Sequence, residues 1–374
     1  MTTVIHIGID VHKETYSLSS FIFSTNQHFG ETRIEGKNSL VIRYVQHLIK
    51  EHEECEVLCG YEAGPTGFGL YRDLVKADIP CVVMAPTTLP KAPGARVKTD
   101  KLDARELARH LAYGTYKAVH VPTPEDEAVK NFTRLRNTRV LALKKAKQNL
   151  TSFLLRMSRS YNEGKTCWTK IHLTWLRQQK FSDEVDQEAF DEYLQEVFDQ
   201  MEKVRRFDDR IEELAVQDAY REKVARLCCI KGIQTHTALS VVSEIGDFTR
   251  FANAPQFSAF LGLVPGEDSS GQREHRTGIT KTGNSRLRLL LVEASQLFGT
   301  WGVHGAKSKR LLARQKGQDP AVIAYADKAT RRLHGVYRRL VSKGVHHNKA
   351  TVAVARELSC FIWGMMTDHI ACMS

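Results

Sequence analysis

The chain has 374 residues, 54 Lys and Arg against 43 Asp and Glu, a net charge of +11 at pH 7 and 42% apolar residues. That length holds two or three domains of ~100–200 residues, and the ordinary composition excludes a disordered or collagen-like chain. No run reaches the ~18 uninterrupted apolar residues of a membrane span, and the basic excess points to a polyanionic partner, nucleic acid first.

The N-terminus, MTTVIHIGID, has neither a cationic leader nor a long apolar core, so no signal peptide is expected. Residues 3–10 (TVIHIGID) form a short apolar strand ending in a carboxylate. Further strands are expected over 16–23 and 29–34, then a helix capped by Asn38 and Ser39 and running to about 52. A strand over 56–61 ends at Glu62, Gly64 and Pro65 break the chain, Thr66 can cap a helix over 67–76, and residues 80–85 make another buried strand. Hairpins followed by helical crossovers predict a mixed sheet with helices packed on it.

Residues 125 to about 161 and 188–226 carry apolar side chains at helical spacing, nearly free of Gly and Pro in the first case. Two long amphipathic helices joined by a Trp-containing connector are expected to pair as an antiparallel hairpin or coiled coil, serving as a spacer or dimerisation arm. The segment 227–251 then reads as helix, glycine turn, helix. The backbone N–H groups of its turn, Ile230-Lys231-Gly232-Ile233, could meet a phosphate, although many helical hairpins have such turns without binding DNA. A polar glycine-rich loop (GEDSSGQREHRTGITKTGN) precedes a helix from Ser285 to about Leu297. The eight cysteines fit no zinc-finger or ribbon spacing and are read as small buried hydrophobes in a reducing cytosol.

Four carboxylates stand out. Asp10 ends an apolar strand, where an unpaired charge is costly. Glu62 ends another, and strand ends facing a crevice are where open α/β sheets bind ligands. In VKTDKLDARELARHL, Asp100 and Asp103 share one face at the start of a helix. Clustered carboxylates repel unless cations neutralise them, and hard oxygen ligands select Mg²⁺ or Mn²⁺. Each acid also has a plainer reading: a strand-end turn for Asp10, a surface charge for Glu62 and a helix cap for Asp100. The basic neighbours Arg96, Lys98, Lys101 and Arg105 favour the metal reading of the set.

IGIDVHKETYSL, YEAGPTGFGLYRDL and RVKTDKLDARELARHL resemble the RuvC-like, RNase H-fold part of IS110-family transposases, and FLGLVPGEDSSGQREHRTGITKTGNSRLRLLLVEA resembles their C-terminal transposase domain. The resemblance spans nearly the whole chain and implies an α/β plus α architecture. Residues 1–120 are then a RuvC-like DEDD catalytic domain, 121–226 a helical coiled-coil region, and 227–374 a mostly helical transposase domain with a helix-hairpin-helix-like element. It implies that Asp10, Glu62, Asp100 and Asp103 are the metal ligands and Ser270, before Gly271, the nucleophile, with the adjacent Ser269 as the alternative. The family's activity would be RNA-guided DNA cleavage and strand exchange through a phosphoserine ester, acting on donor and target DNA with a structured noncoding bridge RNA. The serine would come from another subunit of a dimer or tetramer, in the prokaryotic cytoplasm beside the nucleoid, with no membrane partner. Lys91, Arg96, Lys98 and Lys101 are expected contributors to RNA binding.

Residues 307–349 hold twelve Lys and Arg against Asp319 and Asp327, with Lys328, Arg331 and Arg338 recurring at helical spacing. This suits phosphate-backbone binding, though a solvated helix face has the same pattern. Lys231, Arg273, Arg276 and Lys281 are further expected phosphate contacts; His275 lies in the same loop. Two competing readings are a RuvC-like nuclease or junction resolvase using water as nucleophile, and a catalytically silent scaffold. The scaffold gains nothing from four carboxylates brought towards phosphate.

Overall fold

In the computed structural model, which describes residues 3–52, 55–86, 89, 100–267, 276–299 and 307–370, the first strand is β1 (Thr3–Val11). Its Ile5, Ile7 and Ile9 are wholly buried, one face of a period-2 pattern. The strands β2 (Thr15–Ile22) and β3 (Gln27–Glu35) follow antiparallel, turning at Asn26 with φ 53, a left-handed conformation that Asn tolerates. On the other side of β1 lie β4 (Cys55–Glu62) and β5 (Cys81–Met84), both parallel. The sheet order is β3-β2-β1-β4-β5. Parallel pairing requires crossovers, and α1 (Asn38–Glu51) and α2 (Gly69–Lys76) supply them.

Helices cover both faces. The isoleucines of β1 pack in one core with Val41, Val45 and Leu48 of α1 and Leu70 and Leu74 of α2. The opposite face receives α3 (Asp100–Tyr113), whose Ala104, Leu107, Ala108 and Leu111 are buried. A mixed sheet of this kind with flanking helices agrees with a RuvC-like domain. Two helix starts differ from expectation. Asn38 does not cap α1: its Oδ1 accepts from the Tyr16 hydroxyl at 3.0 Å and its Nδ2 donates to Asp73 at 2.6 Å. The tertiary partners take the side chain that local sequence assigned to capping. Thr66 does not cap α2, which starts two residues later than expected and has Phe68 at its N-cap.

The chain divides into two compact units, Met1–Val121 and Pro122–Ser374. The second begins with α4 (Pro124–Arg156), capped by Thr123. It packs against α6 (Glu184–Ala215), with the short α5 (Lys170–Arg177) in the connector. Phe132 meets Phe207 while Phe153 meets Phe190, so the pair is antiparallel. The expected helix to residue 226 breaks after Ala215, and α7 (Arg221–Cys228) starts anew. The cause is Tyr220, 4% exposed, whose hydroxyl donates to Asp126 at 2.8 Å and turns the chain into the core.

That core is shared by α7, α8 (Thr235–Ile245), α9 (Ala254–Phe260), α10 (Ser285–Ser295), α12 (Pro320–Ser342) and α13 (His347–Met366). A short α11 (Lys309–Gln315) precedes α12. A small antiparallel pair, β6 (Pro265–Glu267) and β7 (Arg276–Ile279), stands between α9 and α10. Among the described residues no helix is long and apolar enough to cross a membrane.

Candidate metal centre and nucleic-acid face

Gly8 and Gly60 are register partners on β1 and β4. A Cβ on Gly8 would overlap Ala104 O and Ala108 N, so the backbone of α3 rests directly on this glycine. Asp10 lies two residues beyond Gly8 and therefore on the same face. Asp100 and Asp103 occupy the first turn of α3, and Ala104 and Ala108 follow in its second and third turns. The glycine seat thus brings the start of α3 over the end of β1.

Three groups converge there. Within described residues, Asp10, His12 and Asp100 each offer a ligand atom within 4.8 Å of the others. His12 Nε2 is 3.0 Å from Asp10 Oδ2 and 3.7 Å from Asp100 Oδ1. Arg33 Nη2 lies 3.4 Å from Asp100 Oδ2. Burial raises the Asp10 carboxyl above its usual range; the Asp103 and Asp100 charges push the same way, and His12 opposes them. Asp103 therefore acts on the cluster electrostatically, from a half-buried position. Glu62 is exposed at the end of β4 and outside the three-residue convergence. One step beyond the Ile9–Tyr61 pair, it stands beside Asp10 on the neighbouring strand.

The donor set fits a hard divalent cation. Asp10 Oδ2 is buried and has no hydrogen bond of proper geometry, and mutually repelling carboxylates gain most from a bound cation. The imidazole is a better ligand for Mn²⁺ than for Mg²⁺. His12 was not singled out by sequence reasoning, although its spacing of two from Asp10 was the available signal. Also missed was Glu31, on β3. Burial alone would raise its carboxyl, but hydrogen bonds from Arg105 and Lys101 outweigh that and hold it low. Lys101 and Arg105 are thereby ion-paired on the flank of α3.

The remaining expected contacts lie on several elements. Arg96, Lys98, Ser269, Ser270 and Arg273 fall outside the described residues, as do Lys91 and His275. Arg276 begins β7. Lys281 follows β7, exposed, with φ 57. Lys231 is half-buried in the turn between α7 and α8, its ammonium 5.9 Å from the Phe298 ring centroid, and burial lowers its pKa. Gly232 in that turn has φ +90, and a Cβ there would press on Ala294 O of α10 at 2.6 Å. The turn's glycine therefore serves packing within the chain. Arg331 and Arg338 are both exposed on α12. Lys328, Arg331, Arg332, Gly335, Val336 and Arg339 form one open face of that helix. Arg332 is paired with Glu357 at 2.8 Å.

Residues 7–158 match a DEDD-type IS110 transposase family, and residues 224–301 match the Transposase IS116/IS110/IS902 family. A putative transposase, y4qE, of Sinorhizobium fredii is 35% identical over 97% of this chain and 88% of its own length. The transposase for insertion sequence element IS1533 of Leptospira borgpetersenii is 33% identical over 92% of this chain and 98% of its own. That for IS1111A of Coxiella burnetii is 25% identical over 96% and 89%. These matches make the chain a transposase, an enzyme class that cuts and rejoins DNA. The chain belongs to the IS110 family of insertion-sequence transposases.

Proposed function

We propose that this transposase is an RNA-guided recombinase in which Asp10, Glu62, Asp100 and Asp103 hold Mg²⁺ or Mn²⁺ and Ser270 is the nucleophile. The observation that carries the metal half is the Gly8 seat, which delivers the start of α3 to Asp10, where Asp10, His12 and Asp100 present ligand atoms within 4.8 Å of one another. The cation would supply charge neutralisation at the attacked phosphate and at the departing oxygen. His12 borders the cluster and orients Asp10.

The covalent half rests on the family resemblance of the Ser269-Ser270-Gly271 segment. The Ser270 hydroxyl loses its proton, its oxygen bonds to phosphorus, and the bond from phosphorus to the sugar oxygen breaks. The sugar oxygen takes up a proton. The freed hydroxyl then attacks a phosphoserine formed with another strand, releasing serine and rejoining DNA without net hydrolysis. In this reading residues 1–120 supply the carboxylates, 121–226 an oligomerising arm, and 227–374 the serine, donated to a neighbouring subunit of a dimer or tetramer. The exposed basic face of α12 and Lys281 bind the backbone of donor DNA, target DNA or the guide RNA.

A trapping assay tests both halves. The protein is incubated with Mg²⁺, its element's noncoding RNA and end-labelled element DNA, then resolved on denaturing gels with adducts mapped by mass spectrometry. A DNA adduct at Ser270, lost in Ser270→Ala, is the expected result. An adduct at Ser269 moves the nucleophile by one position. Cleaved DNA with no adduct replaces the recombinase with a RuvC-like nuclease or junction resolvase that uses water.

A further inference from the structure

Glu244, near the C-terminal end of α8, is only 3% exposed. Arg134 of α4 grips both its oxygens, Nε to Oε1 at 2.6 Å and Nη2 to Oε2 at 2.9 Å. Lys130 Nζ, one turn earlier on α4, is 3.8 Å from Oε2. Asn284 Nδ2 donates to the same Oε2 at 3.0 Å. A buried carboxylate is tolerable only when paired this completely, and the bidentate guanidinium fixes direction as well as charge.

Asn284 does three things at once. Its Oδ1 accepts from Arg286 N and Leu287 N, capping α10. Its own N–H donates to Phe260 O at 3.1 Å. Its amide reaches Glu244. The chain just before it is tightly determined. Thr280 N donates to Val264 O at 3.0 Å and Lys281 N to Gly262 O at 3.1 Å. Arg288 Nη1 bonds Leu261 O and Thr282 O, each at 2.8 Å. Gly262 and Gly283 have φ +64 and +65, and a Cβ on either would overlap a backbone carbonyl, Thr282 O and Phe260 O respectively. All of this sits at the base of the β6–β7 pair, whose strands residues 268–275 join.

We propose that Glu244 is a positioning residue for strand transfer, holding the base of the β6–β7 pair, through Asn284, in one orientation relative to the long helix α4. Apolar packing would serve stability as well. What an ionic link across α4, α8 and the N-cap of α10 adds is a fixed direction, because α4 cannot slide without leaving a buried charge unpaired. The functional consequence rests on the reading of Ser270, between β6 and β7, as the nucleophile.

The test uses full-length Asn284→Ser and Arg134→Met. Serine keeps an N-cap hydroxyl but cannot reach Glu244, and it leaves every charge in place, so this variant folds. Hydrogen exchange at the Thr280 and Lys281 amides should rise at least about tenfold in both variants, with α13 amides unchanged. Single-turnover strand transfer on the element's own end DNA should fall at least about tenfold while DNA affinity stays within about twofold. Unchanged exchange at Thr280 and Lys281 in both variants overturns the link. Faster exchange with strand transfer at the wild-type rate, or falling only in step with DNA affinity, overturns the positioning role. Adduct formation by the wild-type protein is scored in the same reactions. Strand transfer without any adduct removes Ser270 as nucleophile and the positioning role with it, while exchange at Thr280 and Lys281 still decides whether Glu244 holds the base of the β6–β7 pair.

Discussion

At the residue scale, Asp10 bears the electrostatic load of the first unit. Its carboxyl is raised by burial and by Asp103 and Asp100, so the native state is penalised once pH rises through that elevated pKa. Asp10→Asn should therefore melt at higher temperature than wild type near neutral pH without metal, with the gain vanishing in acid where Asp10 is protonated. Added Mn²⁺ should raise the melting temperature of wild type but not of Asp10→Asn, and Asp10→Asn should lose DNA cleavage. Thermal melts with and without Mn²⁺, over a pH series, check all of this; an equal metal response in both proteins sinks the metal assignment. A second pH effect belongs to His236 of α8. Burial, reinforced by Arg136, lowers it to about 4, and its Nε2 is buried without a partner. The unfolded chain binds this proton near pH 6.5 and the native state only near 4, so stability falls as pH drops through that window, by up to about 3 kcal/mol. His236→Gln should flatten the denaturation profile between pH 6.5 and 4.

At the element scale, the meeting of β1 with α3 decides whether the carboxylates converge. Ala104 and Ala108 are wholly buried against Gly8, and there is no flexible side-chain end to give way. Gly8→Ala should cost stability towards the upper end of ~1–3 kcal/mol by overpacking. It should weaken Mn²⁺ binding further than that loss alone explains, because lifting α3 carries Asp100 and Asp103 with it. Calorimetric titration on the folded variant measures the difference, and unchanged Mn²⁺ affinity would show that α3 does not set the site. The ion pairs of Glu31 with Lys101 and Arg105 tie the same helix to β3 from its flank. Lys101, which sequence offers as a nucleic-acid contact, is engaged there within the chain.

At the scale of the whole molecule, the net charge of +11 is not spread evenly. The open face of α12 gathers Lys328, Arg331, Arg332 and Arg339, with only Arg332 held in a described ion pair, to Glu357. Arg331→Ala combined with Arg338→Ala should weaken nucleic-acid binding with little sequence preference. The slope of log affinity against log salt should shrink by about two. Gel-shift titrations at several salt concentrations measure it, and an unchanged slope would make this face merely solvated. By contrast α6 carries many acids along its exposed side, so the charge that suits a polyanion lies elsewhere in the second unit.

Local pattern was enough to place β1 to β5 and the long helices, since periods of two and 3.6 are written directly in the residues. It also placed Asp10 and Glu62 at strand ends and Asp100 and Asp103 on one helical turn. Tertiary structure alone decided that Gly8 is the seat of α3, that His12 joins Asp10 and Asp100, and that Asn38 serves Tyr16 and Asp73 rather than α1. It likewise ended α6 at Ala215 through Tyr220 and Asp126 and gathered Arg134, Glu244 and Asn284 around one buried charge. The physical reason is range. Backbone periodicity and helix-turn spacing act between residues a few positions apart. A carboxylate's partner is chosen by packing among residues up to 150 positions apart in sequence, as Arg134 is from Asn284.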